Sequence, residues 1–185
     1  MQDMDKASFF RLRLYVTATV TIAIWSLLAW NYYHGGIPAH HLLADKDLPS
    51  FSNGWGAIIL PLLTWWLLYR LQRRVFLLKD NQAEAIRAAI YAFVISLAYG
   101  IVLSACYFLG YPDVAAYMTL GIFALALFFP VYRAEYFLGY VLGLTVSFGA
   151  VIPTMIGSIL LFISFLLYRL IRPAVLYLVP RSRTK

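Results

Sequence analysis

Apolar residues in this chain fall into blocks of about twenty, separated by short polar or charged stretches, and do not alternate with polar ones. A helix needs about 20 mostly apolar residues to cross the roughly 30 Å hydrocarbon layer at 1.5 Å per residue. On that measure a first span runs from Leu12 to Tyr32 and a short second one from Gly54 to Tyr69, before Arg70, Arg73 and Arg74. A third runs from Ala88 to Leu109 and a fourth from Val114 to Tyr132. The stretch from Ala134 to Leu170 holds two more short spans, with the turn at Ser147-Phe148-Gly149-Ala150-Val151-Ile152-Pro153. The pattern predicts an all-α membrane protein, a six-transmembrane-helix bundle forming a single domain over residues 1–185.

Local punctuation supports these boundaries. Asn81 stands three residues before Glu84, the capping-box spacing that satisfies free backbone N–H groups at a helix start. Tyr111-Pro112-Asp113 suits another start, because proline is tolerated in the first turn and an acid there favours the helix dipole. Trp25, Trp30, Trp55, Trp65 and Trp66 fall largely toward span ends, where indoles favour the membrane interface.

Composition sharpens the choice of solvent. Hydrophobic residues make up 63% and charged residues 12%, with a mean hydropathy of +0.77, against about 25% charged in soluble domains. The formal charge of +7 does not indicate nucleic acid, because the charges lie between apolar runs and form no basic surface of a folded domain. Their distribution instead orients the chain: of 15 Lys and Arg, only Lys46 falls on the outer side of a six-span arrangement. Both termini are therefore expected in the cytoplasm, in a bacterial-type cytoplasmic (inner) membrane. Lys6, Arg11 and Arg13 precede an apolar stretch too long for a secretory signal, and no cleavage pattern follows it, so this stretch is read as a retained first span. The lone cysteine, Cys106, lies inside an apolar run, where it is a small packing residue.

Three features carry candidate chemistry. The first is a strip of small residues in span three, Ala88, Ala92, Ser96, Gly100 and Ser104, matched in span five by Gly139, Gly143 and Ser147. Such strips let helix backbones approach closely where lipid removes the hydrophobic driving force; packing is the preferred reading over a pore or lipid groove. The second is the scarcity of ionisable groups at mid-membrane depth, which counts against an ion-coupled pump. Hydroxyls such as Thr17, Thr64, Ser96, Thr145 and Ser158 remain, and most are expected to bond back to their own helix. Glu135 is read as an interfacial charge in a cytoplasmic turn, two residues from Arg133. The basic stretch from Arg70 to Arg87 is read as a topology signal in preference to a lipid-binding surface.

The third feature is the loop between spans one and two. It holds all three histidines, His34, His40 and His41, together with Asp45, Asp47, Asn31 and Asn53. Gly35-Gly36 permits a sharp turn out of span one, and Pro38 is expected to open a short helix through Leu43, on which His41 and Asp45 would be neighbours. A carboxylate there would fix the imidazole tautomer, as a general base or metal ligand requires. The spacing gives no support to a metal site, no catalytic residue is assigned, and no cofactor is implied. The competing reading is a connector lying in the headgroup layer. The leading functional expectation is a membrane protein that binds or translocates a small molecule or lipid. A membrane-embedded enzyme using the His34 to Asp47 loop comes second, and an accessory subunit presenting its small-residue strips to a membrane protein partner or a second copy comes third. The expected partners are thus the bilayer, such a ligand and such a protein, and no nucleic acid.

Overall fold

The computed structural model describes residues 5–41, 47, 50–78, 81–171 and 173. Six α-helices account for nearly all of them: α1 (Lys6–Tyr33), α2 (Gly56–Leu77), α3 (Gln82–Phe108), α4 (Pro112–Phe128), α5 (Ala134–Phe148) and α6 (Val151–Leu166), the last continued by a π turn, Leu167–Ile171. Four of these are long and apolar enough to cross a membrane, while α4 and α5 are shorter apolar helices. Two three-residue strands, β1 (Ala39–His41) and β2 (Ser50–Ser52), form a ladder between α1 and α2.

The helix boundaries follow from local chemistry. Asp5 caps α1 by accepting the Ser8 N–H at 2.7 Å, and hydrogen bonding from Ser8 holds its carboxyl below the usual carboxylate value. Pro112 opens α4 with Asp113 in the first turn, where proline's missing N–H costs nothing. The turn expected near Pro153 lies at Gly149 and Ala150, with Gly149 at φ 70°, a conformation open to glycine because it has no Cβ. Four boundaries differ from the hydropathy reading: α1 and α3 begin six residues earlier, at Lys6 and Gln82, and the ends of the second and fourth helices shift. The second helix does not stop at Tyr69 but continues to Leu77, so Arg70, Arg73 and Arg74 stand on helix and not in a loop; long straight side chains favour helix and carry their charge clear of the apolar layer. The fourth ends at Phe128, short of Tyr132. Asn81 precedes α3 but makes no side-chain cap, which corrects the capping-box reading; its backbone carbonyl instead accepts the Ala85 N–H at 3.0 Å.

Helix α5 is the centre of the bundle, packed against α2, α3 and α6, while α1 covers α2 and α4 covers α3 and α6. Its inward residues Phe137, Leu138 and Val141 join Leu60 and Leu67 of α2 and Ile24 and Leu28 of α1 in the main core. The tightest seam runs between α3 and α5, which are parallel and stay in step: Ser96 faces Gly139, Gly100 faces Gly143, and the Ser104 and Ser147 hydroxyls bond at 2.7 Å. A Cβ on Gly143 would lie 2.6 Å from the Leu97 carbonyl oxygen, and one on Gly100 would lie 2.9 Å from that of Tyr140. The backbones are in contact, which only small residues allow. Ala88, at the start of the strip, is exposed.

Contacts at the two ends fix the relative direction of the helices. At one end Arg74 of α2 meets Glu135 of α5, and Phe9, Val75 and Ile86 tie α1, α2 and α3 together. At the other end the Asn53 side chain lies against Gly149, and Tyr107 of α3 packs edge-on against Phe148 of α5. The order of the chain thus runs up and down between an arginine-rich end and a loop end.

Candidate functional site

The loop that the sequence singles out is built differently from the expectation. Gly35 and Gly36 turn the chain out of α1 with φ of 121° and 97°, but the described residues just after Pro38 are not helical. Residues Ala39–His41 are extended and pair antiparallel with Ser50–Ser52, His40 opposite Phe51 and His41 opposite Ser50. An isolated helix of that length nucleates poorly in water, whereas the returning segment offers ready partners for the backbone groups. His41 therefore stands on a strand and not on a helix, and Asp45, its expected neighbour, lies outside the described residues. His34 is exposed and stacks on Trp30 with ring centroids 3.8 Å apart, its Nδ1 2.9 Å from the Trp30 carbonyl oxygen. Asp47 is exposed. The Asn31 carbonyl accepts the N–H groups of His34 and Gly36, and Asn53 serves the contact with Gly149. Among the described residues no group of three or more His, Cys, Asp or Glu could hold a metal ion. Of the remaining residues singled out, Gly100, Ser104, Gly139 and Gly143 all belong to the α3–α5 seam.

A different site lies inside the bundle. Helices α3, α4, α5 and α6 line a half-open cavity of about 230 Å³ between them. Its walls are aliphatic and aromatic, from Ile95, Ile122, Leu125, Phe129, Phe137 and Leu160, with Tyr136, Tyr140 and Ser164 among the lining residues. Gly157 keeps α6 close to α5, since a Cβ there would press on the Phe137 ring at 2.7 Å. Tyr99 crosses to α4 and donates to the Met118 carbonyl.

Ser164 distinguishes this cavity from a plain packing void. Half of the helix hydroxyls bond back by one turn, among them Thr19 to Tyr15, Thr21 to Thr17, Thr119 to Ala115, Thr145 to Val141 and Ser158 to Thr154, at 2.6–2.9 Å. Ser164 is only 1% exposed, lines the cavity, and its hydroxyl finds no partner. A buried unsatisfied hydroxyl costs about 1–3 kcal/mol. Thr64 is likewise buried and unpartnered, in α2.

Next to the cavity stands a charge whose burial the sequence reading did not foresee. Glu135, expected in a turn, is in the first turn of α5 and buried. Its side chain is 3% exposed and takes a two-pronged contact from Arg74, Nη1 at 3.1 Å and Nη2 at 2.7 Å. The following residues, Tyr136 and Phe137, enter the cavity wall. Arg13 of α1 is also buried, its guanidinium 3.7 Å from the Trp65 ring centre and its Nη1 3.0 Å from Gln72 Oε1. The sequence signal for both was the position of a charge inside a helical apolar stretch, which implies a partner.

The fold and this interior define an all-α membrane-type protein, with four helices able to span by length and composition and two shorter apolar ones. Comparison with protein-family models, with curated proteins and with solved structures returned no match, so the site is read from its own geometry.

Proposed function

We propose that this is a six-span integral membrane protein, with both termini on the cytoplasmic side of a bacterial-type inner membrane, that binds an apolar small molecule or lipid chain between α3, α4, α5 and α6. The observation that carries the reading is the cavity of about 230 Å³ with an apolar wall and the buried, unpartnered Ser164 hydroxyl. An apolar cavity of about 150 Å³ already accepts benzene, while whole ligands occupy about 300–1,000 Å³. The size therefore suits a segment of an acyl or isoprenyl chain, with Ser164 or Tyr136 available to one polar atom on it. Binding is favoured over translocation of a polar solute, because the wall offers scattered hydroxyls and aromatic rings in place of a continuous polar lane.

A diazirine-bearing palmitic acid tests this in the purified protein. Crosslinks are expected to concentrate on peptides carrying Tyr136, Tyr140 and Ser164. Filling the space by Ser164→Phe or by Ile122→Trp should remove those crosslinks and leave labelling at exposed Ile22 and Ile159 unchanged. Equal labelling of the cavity peptides before and after filling would overturn the reading.

A further inference from the structure

Helix α2 presents an outward stripe that the core does not use. Ile58, Leu62, Trp66, Tyr69, Arg70, Arg73 and Leu77 fall within roughly a third of the helix circumference at 3.6 residues per turn, and all are exposed. The opposite face carries the buried Leu60, Thr64 and Leu67. Along the stripe the chemistry changes in one direction, from aliphatic through aromatic to guanidinium. At the arginine end a hollow of about 470 Å³ is lined by Trp66, Tyr69, Arg70, Arg73, Arg74 and Leu77.

Two of the three arginines of this hollow, Arg70 and Arg73, are oriented but not neutralised among the described residues. Arg70 stands 5.2 Å over the Trp66 ring and Arg73 6.0 Å over the Tyr69 ring. Arg74 is tied to Glu135, and among the described residues no carboxylate pairs with Arg70 or Arg73. Two guanidinium groups held by aromatic faces retain their N–H forks for an incoming oxyanion, and that fork fits a phosphate by two parallel hydrogen bonds.

We infer that the hollow formed by Trp66, Tyr69, Arg70 and Arg73 is a binding site for the phosphate headgroup of an anionic phospholipid, whose acyl chain lies along Leu62 and Ile58. The dimensions agree: from Arg70 to Ile58 the helix rises about 18 Å, close to the roughly 15 Å depth of one leaflet. The aliphatic lane is what selects a lipid over a soluble phosphate, since a free anion has no use for it. The site is independent of the interior cavity and shares no lining residue with it.

Native mass spectrometry of the full chain in detergent, with phosphatidylglycerol and phosphatidylcholine added in equal amounts, provides the test. The wild type should retain phosphatidylglycerol in preference by about thirtyfold, the ratio that two surface cations of ordinary strength supply. Arg70→Gln with Arg73→Gln should bring the preference near unity, while Arg87→Gln with Arg133→Gln, two exposed cations elsewhere on the chain, should preserve it. Leu62→Ser should weaken retention of both lipids, and glycerol phosphate without chains should not compete. Unchanged melting temperatures of these surface variants will show that folding is intact. Equal retention of the two lipids by the wild type, or equal loss in both arginine pairs, would overturn the inference, as would effective competition by glycerol phosphate. Cavity-filling by Ser164→Phe should leave the preference untouched, which separates this site from the one proposed above.

Discussion

Glu135 and Arg74 show what a single carboxylate does in a helical bundle of this kind. The acid is buried and the arginine is 32% exposed, so only one partner is fully withdrawn from solvent. Losing the arginine would strand a buried anion, whereas losing both charges would leave an apolar contact. Breaking a fully buried pair typically costs 3–5 kcal/mol; because Arg74 keeps access to solvent, the expected loss for Glu135→Gln is about 2 kcal/mol after allowing for that screening. Arg74→Met should cost more than Glu135→Gln, and Arg74→Met combined with Glu135→Leu should recover most of the loss. Thermal melting in detergent measures all three. Additive losses in the double variant would show that the two side chains contribute separately and not as a pair.

At the scale of the element, the α3–α5 seam sets how the bundle closes. Glycine at 139 and 143 is required by contact, since the facing backbone occupies the space a Cβ would need. Gly143→Ile must push α5 away from α3, and overpacking of this sort costs about 1–3 kcal/mol. The matched control is Val146→Ile, on the same helix but 74% exposed, which should melt with the wild type; equal melting of the two variants would mean that the seam yields without cost. The seam also accounts for the length of α5. At 15 residues it rises only about 22 Å, less than the hydrocarbon thickness. Packed against α2, α3 and α6, it is mostly covered by protein, so its first turn can carry Glu135 buried against Arg74.

For the whole molecule, the alternation of the six helices and the clustering of cations at one end motivate a defined topology. In a Cys106→Ala background, cysteines at Ser50 and Asp113, both exposed at the loop end, should react with an impermeant maleimide added to intact cells. Cysteines at Asn81 and Arg133, exposed at the arginine-rich end, should react only after lysis. Labelling at Arg133 from outside would remove α4 as a crossing, and labelling at Asn81 would reverse or break the first two.

The sequence by itself determined the all-α, membrane-type character, the number of helices and the place of most helix ends, because these depend on one-dimensional quantities: the length of apolar runs and glycine or proline at turns. It also marked the small residues of spans three and five, since their four-residue spacing survives in any helix. Tertiary structure alone decided which small faces meet and that α5 is central. It also decided that Glu135 is drawn inward by Arg74, 61 positions away in the chain. The cavity is likewise a property of four helices together, and no local pattern distinguishes Ser164 from the hydroxyls that bond to their own backbone. The helix expected after Pro38 was misread for a related reason: proline-initiated helix is a local argument, while the pairing of Ala39–His41 with Ser50–Ser52 is settled by backbone groups that meet only after the chain has turned back on itself.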